Sequence, residues 1–276
     1  MSPLQYVGRR LATFLARPRE RNSHIPTSPW GLLAATLRKG DVVLVEGSSR
    51  FASAIKYLTQ STWSHAALYV GDALGPPPPG EEARVLVDVD VVDGVRTIPL
   101  SAFSGLHTRI CRPVGLSPAE VDALVGFMLA RSGVTYDLKN IFDLARYFIR
   151  TPPLPGSMRR RALALGSGEP TKAICSTLLA QAFESVRYPI LPEVELDDGD
   201  TAGGQRARKE ILHIRHHSLY APRDFDVSPF FAIVKPRIEQ GFEFRELEWR
   251  VPVADEAPTA RATASGAADA AARPAG

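Results

Sequence analysis

The chain has 276 residues, 45% of them apolar and 23% charged, with a formal net charge of +3. That length and core content suit one large domain or two small ones, and so slight a charge bias excludes a strongly basic nucleic-acid binder by composition. With only two cysteines, Cys111 and Cys175, and no CxxC pair, the sequence offers no disulfide scaffold and argues against a structural zinc site.

Residues 1–29 form a basic segment in which Leu4, Val7, Leu11, Phe14 and Leu15 recur at helical spacing opposite arginines. Such a stripe suits an anionic membrane surface or a docking helix equally well. Arg9 and Arg10 interrupt its apolar run, so no secretory signal is expected and the chain is assigned to the cytoplasm, with peripheral membrane contact as an option. No stretch has the roughly 18 consecutive apolar residues of a membrane span.

The body, residues 30–252, begins with "KGDVVLVEG" (39–47), which reads as a buried strand. A short helix follows at 48–60, capped by Ser48 or Ser49, then a strand at 64–72. "GPPPPG" (75–80) is a loop. "ARVLVDVDVV" (83–92) and "GVRTIPLSAF" (94–103) predict a hairpin, and "LHTRICRPV" (106–114) a further strand. Ser117, Pro118 and Glu120 spell a capping box for a helix over 119–131. A second helical pattern covers 136–149, and a Pro/Gly-punctuated basic insertion covers 150–170. A helix is predicted from about Ala173 to Phe183, a loop at 196–205, and late strands at 230–236 and 242–249. Residues 253–276 are Ala-rich and poor in large apolar side chains, which predicts disorder. The fold class is α+β: an antiparallel sheet in the first half, packed against helices.

Cys175 opens its predicted helix. Free cysteines are usually buried packing residues, but a helix N-terminus favours the thiolate, and Leu178, Leu179, Ala182 and Phe183 already supply the apolar face. A nucleophilic thiolate needs a base and the base needs an orienting group. His65 starts a strand, and Asp88 and Asp90 share one face of an apolar neighbouring strand, where acids are costly unless paired. Plain alternation allows that face to be simply solvated. His216 and His217 are the rival bases, in a segment that also reads as a surface loop. Cys111, mid-strand, is read as packing.

The ordered set "KGDVVLV", "STWSHAALYVGD", an acid in "VLVDVD", "TIPLSAF", "GVTYDLKNIF" and "AICSTLLAQAF" resembles the circularly permuted branch of the NlpC-type, papain-like cysteine hydrolases. Within it the set resembles the YiiX/YebB-like proteins, and more distantly the lecithin:retinol acyltransferase-like enzymes. The resemblance spans about residues 38–190. It implies His65 and Cys175 as the catalytic pair. The orienter is Asp88 by motif or Asp90 by distance from "TIPL", where the family usually carries Glu. Tyr136 matches the family's "YD". With Trp63 and Ser176 it is assigned to the substrate pocket.

The implied activity is cleavage of an amide or ester bond, by hydrolysis or acyl transfer, without a metal or organic cofactor. The substrates implied are a peptide, a cell-wall fragment or a lipid, and no nucleic acid. A catalytically silent, membrane-associated binding module of the same fold is the alternative.

Overall fold

A computed structural model describes residues 28–90, 92–134, 175–197, 209–213 and 220–246, with the single positions 10, 13, 14, 17, 217 and 248. The chain divides into two compact units, Met1–Gly241 and Phe242–Gly276. Most of the basic N-terminal stripe, Tyr136 with the helix predicted at 136–149, the basic insertion at 150–170 and the tail from 253 lie outside the described residues.

The first unit is α+β, built on a six-stranded antiparallel sheet of order β4-β3-β2-β1-β5-β8. Its strands are β1 (Val42–Glu46), β2 (His65–Tyr69), β3 (Arg84–Asp90), β4 (Gly94–Pro99), β5 (His107–Pro113) and β8 (Phe231–Val234). β1 is central and buried along its whole length, which is why "VVLV" shows no alternation. Val42 and Leu44 face one layer, Val43 and Val45 the other.

On the first face lie α3 (Pro118–Leu129) and α4 (Cys175–Ser185). They contribute Leu124, Val125 and Met128, and Leu178, Leu179, Ala182 and Phe183, to one core. On the second face α1 (Trp30–Thr36) sends Leu33 inward beside Phe103 and Val234. α2 (Arg50–Thr59) links β1 to β2, and Ser49 Oγ accepts from the Ala52 N–H at its start. The capping box on α3 forms as expected: Ser117 Oγ accepts from the Glu120 N–H and Glu120 Oε2 from the Ser117 N–H.

Several expectations are corrected. The strand predicted at 94–103 stops at Pro99 and gives way to a 3-10 turn, Leu100–Phe103, held by Ser101 donating to Glu82. Pro99 has no N–H to continue a ladder. The loop predicted at 196–205 begins inside β6 (Glu193–Asp197), which pairs with β7 (Lys209–His213) as a separate ribbon. The strand predicted at 242–249 is a 3-10 turn at Phe244–Glu246, in the second unit, with Phe242 and Phe244 exposed. Alternation alone does not make a strand, and among the described residues this segment has no ladder partner. Two helices of five and four residues, α5 (Pro222–Asp226) and α6 (Pro236–Glu239), are too short to show a period; each starts on a proline. Among the described residues no helix is long and apolar enough to cross a membrane.

Candidate active site

Cys175 is the first residue of α4, and its thiol is buried. The apolar face of α4 holds the helix against the sheet. Its first turn is fixed further by Ser176, fully buried, whose Oγ donates to the Tyr220 carbonyl at 2.7 Å. The sulfur therefore sits at the positive end of an eleven-residue helix, among the backbone N–H groups that have no partner within it.

His65 is the first residue of β2, opposite Val45 of β1. Its Nε2–H donates to Asp88 Oδ2 at 2.9 Å, and the same ring hydrogen-bonds the Cys175 thiol. With Nε2 taken by the carboxylate, Nδ1 is the nitrogen left for sulfur. The imidazole lies edge-on to Phe103, 6.0 Å between ring centres. Phe103 belongs to one core layer and Cys175 to the other, so the ring sits at the end of the sheet where both layers reach it. Burial opposes a charge on His65. The negative charge of a Cys175 thiolate and the hydrogen bond to Asp88 outweigh it, and the imidazole is pushed up to about 10.

The β2–β3 register pairs Leu68 with Val87 and Tyr69 with Leu86. Continued, it would set Asp90 level with His65. The partner is nevertheless Asp88, which reaches the ring diagonally. Asp90 instead accepts from the Val92 and Asp93 N–H groups through Oδ1 and so shapes the β3–β4 turn. The catalytic assignment of Asp90 has no contact with His65 behind it.

Asp88 is 2% exposed, so its face of β3 is not the solvated one that alternation allowed. Burial would raise its carboxyl; the hydrogen bond and charge of His65, with those of Arg96, outweigh that and hold it below the ordinary carboxylate range. Arg96 stands directly opposite on β4, donating from Nε to Oδ1 at 2.9 Å and from Nη2 to Oδ2 at 3.4 Å. The sequence reading missed Arg96. The available signal was an arginine in "GVRTIP" that the hairpin register sets against an acid.

Trp63 and Ser176, assigned to the substrate pocket, are both engaged with the frame. Trp63 is 2% exposed and its indole N–H donates to Asp226 Oδ2 at 2.9 Å. Arg109 covers its ring and pairs with the same carboxylate. Ser176 spends its hydroxyl on Tyr220. Both donate their hydrogen to the frame. Tyr136 and His216 fall outside the described residues. His217 approaches Glu184, on the last turn of α4, at 3.6 Å. Cys111 is fully buried in β5, and burial pushes its thiol up. At the same end of the sheet, Glu46 holds Lys56 at 2.9 Å and His107 at 3.2 Å, a second set that no motif signalled. Among the described residues no group of three or more His, Cys, Asp or Glu side chains is arranged to hold a metal ion.

Thiol, imidazole and carboxylate thus form a hydrogen-bonded series, the arrangement that can raise the nucleophilicity of sulfur. No family model and no curated protein matches the chain. Among solved structures, the crystal structure of the metalloprotein yiiX from Escherichia coli O157:H7 is similar at TM-score 0.41 and 13% identity, over 72% of this chain and 96% of that one. At that degree of likeness the site rests on its own geometry.

Proposed function

We propose that the chain is a thiol hydrolase or acyltransferase of the circularly permuted papain-like kind, with Cys175 as nucleophile, His65 as its base and Asp88 orienting the imidazole. The observation that carries this reading is the Cys175–His65–Asp88 series, assembled from a helix start and two strands. The chain order, with the histidine strand before the cysteine helix, supports the permuted form.

In this scheme the thiol proton passes to His65, giving a thiolate–imidazolium pair. Sulfur attacks the carbonyl carbon of an amide or ester, and the carbonyl electron pair moves onto oxygen. Backbone N–H groups in the first turn of α4 stabilise that oxyanion. Collapse breaks the bond to the amine or alkoxide, which takes its proton from the imidazolium, and an acyl thioester remains on Cys175. Water, or an alcohol or amine acceptor, gives its proton to the neutral imidazole and releases the acyl group. Asp88 holds the ring so that Nδ1 faces sulfur throughout. A peptide, a cell-wall fragment or a lipid ester would each serve as the acyl donor.

The test does not need the substrate. At pH 6.5 an isolated thiol is only about 1% thiolate. Iodoacetamide at that pH is expected to alkylate Cys175 and spare Cys111, and His65→Ala to slow Cys175 by about tenfold or more. Peptide mapping of the alkylated protein reads both. An inert Cys175, or one indifferent to His65, rules out the enzyme and leaves the silent binding module.

A further inference from the structure

We propose that Arg96 is a positioning residue of the same site: it locks Asp88 as an ionised acceptor in one orientation, and so selects the ring nitrogen of His65 that faces Cys175. The proposal rests on the thiol-hydrolase reading and adds a member to it.

The geometry is that of a fork closing on a carboxylate. Arg96 and Asp88 are a directly opposed cross-strand pair, so the contact needs no reach along the sheet. Nε meets Oδ1 at 2.9 Å, and Nη2 meets Oδ2 at 3.4 Å while Oδ2 also accepts from His65. Both oxygens are therefore engaged, and rotation about the Asp88 side chain would break two contacts at once. A planar guanidinium makes such a two-point contact; an ammonium does not.

The arginine is itself held. Nη1 meets Asp93 Oδ2 at 3.1 Å and Nη2 meets Asp90 Oδ2 at 3.3 Å. Asp90 is fixed in turn by accepting from two N–H groups of the β3–β4 turn. "DVVDGVR" (90–96) thus acts as one clasp behind Asp88. Asp90, set aside as a catalytic residue, has a role here in holding the arginine.

The burial of Asp88 explains why a clasp is needed. Burial of this side chain, 1% exposed, favours the neutral acid, and Arg96 joins His65 in opposing it. A protonated Asp88 can donate to Nε2 as well as accept from it, and the ring would then offer the thiol either a proton or a lone pair. Arg96 removes that choice. The other described groups nearby do not substitute for it: Cys175 on α4 is the acid partner of the ring, Phe103 carries no charge, and Asp90 and Asp93, which contact Arg96, would repel rather than steady a second carboxylate.

Nitrogen-15 spectra of His65, in full-length protein with Cys175 blocked by iodoacetamide, read the tautomer directly. In the parent protein the neutral ring is expected as the Nε2–H form. Arg96→Lys keeps a charge but loses the fork, and is expected to give a mixture; Arg96→Gln is expected to give a more even one. The pH at which Asp88 titrates is expected to rise in the same order. If Arg96→Gln does not fold, the Arg96→Lys spectrum alone decides. An unmixed Nε2–H tautomer and an unmoved Asp88 titration in Arg96→Lys overturn the positioning role. The alkylation rate of unblocked Cys175 in the parent protein separates the two ideas: a slow rate defeats the hydrolase reading, whereas an unchanged tautomer beside a fast rate defeats only the role of Arg96.

Discussion

His65 and Asp88 set opposite pH limits on the folded state. The imidazole is pushed from its ordinary 6.5 up to about 10, so its stabilising contribution is complete below 6.5 and is lost as pH rises through about 10. Asp88 is held below its ordinary 3.8, so its contribution is present above that value and is lost as pH falls through the lower folded one. Thermal unfolding followed against pH is expected to show a plateau between these limits. Cys175→Ser removes the charge that does most to raise the imidazole, and is expected to bring the alkaline loss to lower pH. An alkaline limb indifferent to Cys175→Ser would mean that the thiolate does not set it. These two residues were separable from their rivals by sequence only in part. An acid in an apolar strand demanded a partner, but alternation placed Asp88 and Asp90 on the same face and could not choose between them.

At the scale of elements, α3 and α4 form the layer that carries the sulfur. The cap of α3 was legible, and its start to within one residue, because Ser117, Pro118 and Glu120 act within one turn and need nothing distant. Ser117→Ala removes the hydroxyl that accepts from Glu120 N–H, and is expected to cost about 1 kcal/mol. Chemical denaturation measures it; a loss near zero would show that the cap is redundant to the packing of Leu124 and Met128. The β3–β4 hairpin was legible for the same local reason. The end of β4 was not, since the turn from Pro99 to Phe103 depends on Glu82, nineteen positions before Ser101. That turn matters to the site because it delivers Phe103 to the imidazole.

Across the whole first unit, Phe183 is the point where helices and sheet meet. Its ring lies 5.6 Å from Tyr188, 6.0 Å from Phe225 and 5.1 Å from Phe231, joining α4 to α5 and β8. Phe183→Ala is expected to destabilise the fold by about 3–5 kcal/mol, since the cavity opens among rings that cannot all collapse into it. Urea unfolding reads the loss, and a cost below about 1 kcal/mol would show that the cluster repacks. Tyr188 adds a polar tie, its hydroxyl donating to the Phe230 carbonyl at 2.5 Å and meeting the Val114 backbone at the far end of β5. The position of Cys175 therefore depends on contacts made by residues fifty positions later in the chain.

What the sequence determined by itself follows from short-range rules: the buried β1, the hairpin, the capping box, the α4 face, and a cysteine at a helix start with a histidine at a strand start. Each follows from a period or a cap that neighbouring residues specify. What only the tertiary structure decided involves partners remote along the chain or across a register. The diagonal choice of Asp88 over Asp90, the fork of Arg96, and the commitment of Trp63 to Asp226, 163 positions away, are of this kind. A period tells which face a side chain takes. It does not tell which strand lies beside it or how far that strand has slipped, and hydrogen bonds between buried polar groups are set by those two quantities.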